Sequence, residues 1–444
     1  MCLHDHDAST EVPPTVPSRR HVLSVAGVLA GVAGSGLAGA GTASAAMRTQ
    51  DARARYRGEP PVPDPIVIDG GTLVDPLTGD VVEDGVVVLA RGRVLASGTR
   101  DATRRAVRSV QGSARTISAT GRWVLPGLVD AHVHVNALAD AAAVLRAGAT
   151  TVRSGSSNFY QDVALRPLAT WAPGRAPRMR AAGVFVSPDL GDTVLADPDL
   201  APLAGLRGGV RSASDLRYLT RVNRSRGVDV VKTRANPRAG LAEQDPTELV
   251  YDREQIAAVV SAAGPADVLC HAYSERGIDG AVRAGVRSIE HGVYVGESTL
   301  EQMRRRGTYF TPTMAAVTGL SGSPDPVLAA RGREYTPVLQ AAVRAAHERG
   351  VTVVAGTDSF GTDVDPIGTE FRLLVEAGLP HLAALRAATT NAARLLRWSD
   401  RVGRLRQGFQ ADVVVADADP LVDATALEQL SVVVAQGAVV REAA

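Results

Sequence analysis

Several side chains that can bind metal ions stand at the ends of short apolar runs in this chain. His132 and His134 are two residues apart, and residues with that spacing share one face of a β-strand. Four further residues of this kind end later apolar runs, namely Lys232, His271, His291 and Asp358. A lone histidine at a strand end is more often structural. Imidazole and carboxylate groups at matching ends of separate strands instead predict one site for zinc or a similar divalent ion.

Lys232 is the only lysine in the 444-residue chain, whereas arginine is abundant. It lies in the apolar run Val228–Arg234, which predicts a buried strand. A buried lysine differs from arginine because its pKa falls and its amine becomes a neutral nucleophile. Such an amine can act as a base, form a Schiff base, or take up CO2 and become an anionic carbamate that bridges two metals. The four strand-end histidines favour metal chemistry, and the Schiff base stays as the alternative.

The elements that must position these residues are eight strand-like segments, which alternate with helical segments after Pro126. The segments are Trp123–Val135, Ala149–Gly155, Arg178–Val186, Val228–Asn236, Asp267–Tyr273, Ser288–Gly292, Tyr309–Ala315 and Thr352–Ser359. This alternation predicts an α/β fold, a TIM (β/α)8 barrel, in which catalytic residues lie at the C-terminal ends of the strands. An open doubly wound sheet is the alternative, but the polar residues at those strand ends disfavour it.

Both ends of the mature chain differ from this middle part. Residues 66–124 and 401–444 contain short valine-rich runs separated by turn residues, which predicts strands and turns. We therefore expect a small β-sandwich domain built from both ends, beside a TIM-barrel domain at residues 125–400. The proline-rich residues 46–65 are expected to form a linker.

The N-terminus has the pattern of an export signal. Arg19-Arg20 precedes an apolar, glycine-rich run, and Ala43-Ser44-Ala45 matches a cleavage site, so residues 1–45 are expected to be a twin-arginine signal peptide. A membrane anchor is the alternative, but glycines interrupt the run and it is short for a membrane span. We expect an exported protein without a stable membrane anchor, mature from about Ala46.

The composition of the chain narrows the classes of function and the set of candidate metal ligands. The chain has a formal net charge of +1, 4% aromatic residues and no basic block, which argues against nucleic-acid binding. Cys2 falls in the expected signal peptide, so Cys270 is expected to be a buried structural thiol. His347 and His381 fall on predicted helices and are not expected to bind metal. The expected partner is a small-molecule substrate, and the formation of a homo-oligomer stays open.

The order of these motifs resembles the amidohydrolase superfamily in its binuclear form with a carboxylated lysine. The resemblance is carried by the six ligand-type residues above and by the segments Gly121–Asp130, Ile289–Gly292, Gly356–Ser359 and Gln410–Val415. It extends from about Ile66 to Val440 and is greatest to the exported group that is similar to imidazolonepropionase and Xaa-Pro dipeptidase. It implies the TIM barrel and the small β domain expected above.

The resemblance also implies a role for each ligand. One metal would be bound by His132, His134 and Asp358. The second metal would be bound by His271 and His291, with carbamylated Lys232 as the bridge between the two ions. We expect Zn, with Mn, Fe and Co as alternatives, and a hydroxide that the two metals share. Asp358 would take the proton of that hydroxide and pass it to the leaving amine.

Three residues refine this expectation. Imidazolonepropionase-type enzymes generally bind one metal and lack the bridging lysine, so Lys232 argues against that activity. Tyr273 shares the face of His271, where dipeptidase-like relatives often carry another histidine. It is expected to hold a substrate oxygen or stabilise an oxyanion, with a packed tyrosine as the alternative. Arg234 shares the face of Lys232 and is expected to bind a substrate carboxylate, with a solvated rim residue as the alternative.

These expectations converge on an exported, metal-dependent amidohydrolase. The reaction would be attack of hydroxide on an amide and cleavage of its C–N bond, with a dipeptide or N-acyl amino acid as substrate. A cyclic amide, carbamate, lactone or phosphotriester is the alternative substrate class. A non-catalytic binding protein on the same scaffold is a different class, but such a protein would typically lack Lys232 or Asp358.

Overall fold

The strands of the chain divide between one mixed sheet and two parallel sheets. The computed structural model describes residues 59–443, of which residues 61–443 belong to one compact unit. The expected signal peptide at residues 1–45 and most of the expected linker at residues 46–65 lie outside the described residues. Among the described helices, none is long and apolar enough to cross a membrane.

The mixed sheet combines strands from both ends of the described chain. Its eight strands are β1 (Ile66–Val74), β2 (Val81–Ala90), β3 (Arg93–Gly98), β4 (Arg115–Ser118), β5 (Trp123–Pro126), β13 (Val413–Ala416), β14 (Leu430–Ala435) and β15 (Ala438–Glu442). The N-terminal and C-terminal strands meet where β5 pairs antiparallel with β13, with Leu125 opposite Val414. Valines from both ends also share one buried cluster, so the two ends fold together. Whether the sheet folds over as a β-sandwich stays a prediction.

The middle of the chain forms the two parallel sheets. One sheet contains β6 (Leu128–Val133), β7 (Ala149–Ser154) and β8 (Arg178–Arg180), and the other contains β9 (Val230–Arg234), β10 (Asp267–Ala272), β11 (Ser288–His291) and β12 (Tyr309–Thr311). In the second sheet Arg234 lies in register with His271, and residues in register on parallel neighbours point to the same side. The sheet therefore places Arg234 and His271 on one face.

The two parallel sheets are not one continuous eight-stranded sheet within the described residues. β8 ends at Arg180, Gly183 then adopts a left-handed φ of 65°, and the chain pairs again through a single bridge between Val186 and Thr233. Beyond β12, a single bridge joins Phe310 to Val353. The segment after Val353 then meets β6, because the Asp358 N–H donates to the His132 carbonyl (2.7 Å). Bridges and hydrogen bonds thus link the expected segments at these points, and closure of the segments into a barrel stays a prediction.

Helices follow most of the parallel strands, as the alternation predicted. The α-helices span Arg100–Val110, Leu138–Arg146, Gln161–Leu165, Leu168–Trp171, Ala201–Ala204, Ala213–Ser225, Arg253–Ala263, Glu275–Ala284, Glu297–Arg306, Met314–Gly319, Pro326–Glu348, Ile367–Glu376, His381–Ala387 and Thr390–Leu395. Short 3-10 helices span Gly191–Ala196, Pro198–Leu200 and Leu320–Gly322. Side-chain caps start several of them, as where Ser274 accepts the Gly277 N–H immediately after β10.

Several expected boundaries were wrong. The first expected segment, Trp123–Val135, divides at Gly127, because β5 joins the mixed sheet and β6 begins the parallel one. The expected strand Tyr309–Ala315 ends at Thr311, and the last expected segment forms only an isolated bridge. An 11-residue helix, Arg100–Val110, lies in the region expected to hold only strands and turns. Thr99 caps that helix, and its few valines are too sparse to reveal it in the sequence.

Candidate metal centre

The first half of the site lies at the end of β6. His132 and His134 both direct Nε2 at one carboxylate oxygen, and Asp358 Oδ1 is 3.3 Å from the first and 3.1 Å from the second. All three side chains are buried, and their ligand atoms all lie within 4.8 Å of one another. Asp358 reaches this position from a left-handed backbone with φ of 57°. Two imidazoles and one carboxylate thus face a common point.

Lys232 joins this half of the site from β9. Its side chain has no solvent exposure, and Nζ lies 3.0 Å from His132 Nε2. The ring of Phe185, from the segment after β8, lies 5.7 Å from the amine. Lys232 is thus enclosed between an aromatic ring and an imidazole. The only lysine of the chain therefore ends beside the histidine pair.

The second half of the site consists of His271 at the end of β10 and His291 at the end of β11. The centroids of their rings are 4.5 Å apart, and the His291 ring is 5.6 Å from that of His132. Strand alternation alone would turn His291 away from the site, because the preceding residue faces inward. A left-handed φ of 71° at His291 breaks the alternation and brings the imidazole to the others.

Each of the four imidazoles gives one ring nitrogen to a protein acceptor. The pairs are His132 Nδ1 with Glu290 Oε2 (2.6 Å), His134 Nδ1 with the Ser156 carbonyl (3.0 Å), His271 Nε2 with the Pro237 carbonyl (2.8 Å) and His291 Nδ1 with Thr313 Oγ1 (2.7 Å). The Thr313 hydroxyl donates its own proton to the Pro312 carbonyl (2.7 Å), so it accepts from His291. These partners assign the proton to the bonded nitrogen and leave the other nitrogen as a lone pair, the form in which histidine binds metals.

Two of the lone pairs meet no hydrogen-bond partner in the described part of the chain. His271 Nδ1 and His291 Nε2 are buried and unpaired, although buried polar atoms are normally satisfied. Burial is the main cause that lowers the pKa of His271 and of His291 well below the usual range, so both rings are neutral. Neutral imidazoles with bare, buried nitrogens have the donor chemistry that a divalent transition metal needs.

Gly155 leaves space beside the first half of the site. A Cβ at this position would lie 2.7 Å from His132 Nε2 and 2.9 Å from His134 Nε2. Any side chain there would occupy the volume in front of the two ligand atoms. The glycine therefore keeps open a cradle of the size of an ion, and the residues present fit a metal.

Glu290 and Arg153 support the site and were missed as functional residues in the sequence. Glu290 is buried behind His132, and Arg153 Nη2 donates to both of its carboxylate oxygens at 2.9 Å. Arg153 also donates to Ser288 Oγ (2.8 Å), which holds the guanidinium inside the barrel. This ion pair holds the pKa of Glu290 well below its usual range despite burial. The alternation of Ser288 and Glu290 on β11 was the only available signal, since two polar residues there share an inward face.

Asp130 ties β6 to the segment that carries Asp358. Its Oδ2 accepts the Thr357 hydroxyl (2.7 Å), and its Oδ1 accepts the N–H of His132 (3.0 Å) and of Thr357 (3.2 Å). Burial raises the pKa of Asp130 to about 6, and these hydrogen bonds oppose the rise. These bonds fasten the two segments to each other two residues before His132 and one residue before Asp358.

The two expected substrate residues are both at the site and both buried. Tyr273 is 4% exposed, and its ring stacks on His291 with centroids 5.0 Å apart and planes at 21°. Arg234 is 6% exposed, and its Cζ lies 4.4 Å from the centroid of the Phe185 ring. Arg234 is therefore not the solvated rim residue of the alternative interpretation. Phe185 was not predicted as a site residue, and its ring lies against both Arg234 and Lys232.

Comparison with known sequences agrees with this geometry. The chain matches the Amidohydrolase family over residues 123–440. Ochratoxinase of Aspergillus niger is 28% identical over 221 residues, which are 47% of this chain and 45% of the relative, so the match spans less than half of that protein. Imidazolonepropionase of Haloarcula marismortui is 28% identical over 379 residues, which are 78% of this chain and 87% of the relative.

Solved structures show the same fold. A Xaa-Pro dipeptidase with bound methionine matches with a TM-score of 0.72 and 24% identity, over 84% of this chain and 99% of that chain. A prolidase in complex with N-methylphosphonate-L-proline matches with a TM-score of 0.71 and 25% identity, over 85% of this chain and 100% of that chain. The fold is therefore the TIM-barrel-like α/β fold of these enzymes. The family match covers more than half of the sequence, and this chain belongs to the amidohydrolase family.

Proposed function

We propose that this protein is an exported, metal-dependent hydrolase that cleaves the C–N bond of a small substrate with a free carboxylate, such as a dipeptide or an N-acyl amino acid. One observation carries the proposal. Four buried imidazoles each give one nitrogen to a protein acceptor, and they gather with Lys232 and Asp358 at the ends of the barrel strands. The family membership and the amide-cleaving relatives support the same reaction class.

The ligand sets fall into two groups in the proposed site. His132, His134 and Asp358 would hold one divalent ion, and His271 and His291 would hold the second. Zn is the first choice for these nitrogen and oxygen donors, with Mn, Fe and Co as alternatives. When bound, such ions lower the pKa of water and polarise a carbonyl group.

Lys232 would bridge the two ions as a carbamate. The neutral Nζ would attack CO2, so that an N–C bond forms while one C=O π bond of CO2 opens, and the nitrogen would release one proton to solvent water, which leaves an anionic carbamate. Lys232 Nζ lies beside His132 Nε2 in a fully buried position, where an ammonium ion would be strongly disfavoured. The carbamate would place a negative charge between the two pairs of imidazoles. A Schiff base at Lys232 is disfavoured because the surrounding histidines have metal-ligand character.

Asp358 would move the proton during the reaction. Its Oδ1 faces both His132 and His134, so it lies where water and the scissile amide would meet. The Asp358 carboxylate would accept the proton of the attacking water and deliver it to the leaving amine nitrogen. The left-handed backbone at Asp358 and the hydrogen bond from its N–H to the His132 carbonyl fix the carboxylate for this transfer.

Arg234 and Tyr273 would select the substrate. Phe185 stacks on the Arg234 guanidinium, which orients a buried positive charge two residues beyond Lys232 on β9. A guanidinium in this position would bind a substrate carboxylate with two parallel hydrogen bonds. Tyr273, stacked on His291, would hold the carbonyl oxygen of the scissile amide.

The proposed activity is tested by screening purified protein against dipeptides, N-acyl amino acids and their C-terminal amides. We expect hydrolysis that is lost after chelation and returns with Zn or Mn, and that is abolished in Asp358→Asn. Arg234→Gln should raise KM for substrates with a free carboxylate and leave that for the matching amides nearly unchanged. Absence of amide hydrolysis under all metal conditions would reject the function.

Domain organisation and export are part of the proposal. We propose that residues 1–45 are a twin-arginine signal peptide, that residues 46–65 are a linker, and that residues 66–124 and 401–444 form a small β-sandwich beside a closed barrel at 125–400. N-terminal sequencing of secreted protein should begin near Ala46. Secretion that does not depend on Arg19-Arg20 would contradict this route.

A further inference from the structure

His291 depends on a threonine in an unusual backbone conformation. Thr313 follows β12 with φ of 48° and ψ of 51°, and its hydroxyl accepts the His291 Nδ1 proton at 2.7 Å. A β-branched residue rarely adopts the left-handed region, and such a conformation persists only where the surroundings hold it. The tautomer of His291 is therefore set by a residue that must itself be held in place.

The Thr313 hydroxyl is not available for the usual task of a threonine in this position. Thr313 precedes the helix Met314–Gly319, where a threonine side chain normally accepts an N–H of the first turn. Here the hydroxyl makes no such bond, because it accepts from His291 and donates to the Pro312 carbonyl. The first N–H groups of the helix consequently need another acceptor.

Glu370, on the helix Ile367–Glu376, supplies that acceptor. Its side chain has no solvent exposure, and its Oε1 and Oε2 accept the N–H groups of Met314 (3.0 Å) and Ala315 (2.8 Å). Both carboxyl oxygens thus bind the two residues that follow Thr313. A buried carboxyl group costs free energy unless it is satisfied in this way, so the arrangement is specific.

We propose that Glu370 is a positioning residue for the metal centre, because it replaces Thr313 as the helix cap and thereby frees the Thr313 hydroxyl to fix His291. The inference rests on the proposed function, in which His291 binds the second metal. Glu370 touches neither ligand nor substrate, and it acts through the backbone of Met314 and Ala315.

The test compares Glu370→Gln with Glu376→Gln, the same substitution on the same helix. Glu376 is exposed and pairs with Arg372, so it lies outside this network. A glutamine at position 370 keeps the shape but can accept only one of the two N–H groups, because its amide nitrogen is a donor. Metal-free protein is titrated with Co2+ at a pH above the pKa of Glu370, which burial raises to about 8, so that both carboxylate oxygens are acceptors. The absorption of bound cobalt is followed together with kcat and KM.

We expect wild type and Glu376→Gln to bind two cobalt ions, and Glu370→Gln to retain the first and bind the second about 10- to 100-fold more weakly. Its kcat should fall while KM changes little, since no substrate contact is lost. Equal affinity for both ions in Glu370→Gln and Glu376→Gln would overturn the inference while the proposed function stands. Fewer than two ions in wild type would instead reject the proposed binuclear site, and this inference with it.

A second pair of variants decides the matter if Glu370→Gln does not fold. Thr313→Val removes the hydroxyl and keeps the β-branched shape, whereas Thr313→Ser keeps the hydroxyl. The inference predicts weak binding of the second ion in Thr313→Val and recovery in Thr313→Ser. Unchanged cobalt binding in Thr313→Val would show that the hydroxyl does not fix His291 and would overturn the inference.

Discussion

Replacing Gly155 by alanine should remove a metal without removing any ligand. The added Cβ would lie 2.7 Å from His132 Nε2 and 2.9 Å from His134 Nε2, where ordinary contacts begin at 3.4 Å, so the rings must retreat by about 0.5 to 0.7 Å. Metal–ligand distances tolerate deviations of only about 0.2 Å. The displacement exceeds that tolerance severalfold, and we expect the ion held by these histidines to be lost together with activity.

The assay is metal content per chain and amide hydrolysis, measured beside urea unfolding. Gly155→Ala should still fold, and overpacking should lower its free energy of unfolding by about 1–3 kcal/mol. Gly205→Ala is the matched control, because a Cβ at Gly205 meets nothing within 4 Å. Wild-type metal content and activity in Gly155→Ala would refute the assignment of the space between His132 and His134 to an ion.

Three further perturbations test the supporting residues. Lys232→Arg keeps the positive charge but cannot form a carbamate, so it should lose the bridged pair of metals and its activity. Short carboxylic acids should partly restore the activity of Lys232→Ala. Full activity in Lys232→Arg would contradict the bridge. Glu290→Gln leaves Arg153 without its buried counter-charge, so it should destabilise the fold by about 3–5 kcal/mol in denaturant unfolding. The same change should weaken metal binding about 10- to 100-fold. The control, Glu301→Gln at an exposed ion pair, should cost at most about 1 kcal/mol. Burial raises the pKa of Glu370 from 4.5 to about 8, so in this pH range the folded protein binds a proton that the unfolded protein releases. The free energy of unfolding should therefore fall as the pH rises from 4.5 to about 8, by up to about 1.4 kcal/mol per pH unit from this group. Glu370→Gln should reduce that slope, and an unchanged slope would exclude Glu370 as its source.

The sequence was sufficient to predict the position of those site residues whose orientation follows from strand periodicity. His132 on β6 and His134, one residue beyond its end, both face Asp358, and Lys232 and Arg234 share a face of β9, as their spacing predicted. The position of these residues at the C-terminal ends of strands could also be predicted, because parallel strands of a barrel end at one face. His347 and His381 lie on helices, as expected, and Cys270 is a buried free thiol.

Other features depend on contacts between segments far apart in the chain. His291 and Asp358 reach the site through left-handed backbone conformations that a period of two residues does not encode. Glu290 and Arg153 form their ion pair across 137 residues, and Glu370 reaches Met314 across 56 residues. The interruption after β8 could not be predicted either, since the expected segment Arg178–Val186 continues past Arg180, where the strand ends. Periodicity reports which face a residue occupies but not which distant residue it meets.

Metal content is the most direct test of the account, because every proposed step requires the imidazoles, Lys232 and Asp358 to hold ions. Mature protein purified without chelator should be examined by elemental analysis for Zn, Mn, Fe and Co. The account predicts about two such ions per chain, with loss of one or both in Gly155→Ala. Protein that contains no transition metal, gains no activity with added metal and hydrolyses no amide would contradict the account and favour a binding protein on the same scaffold.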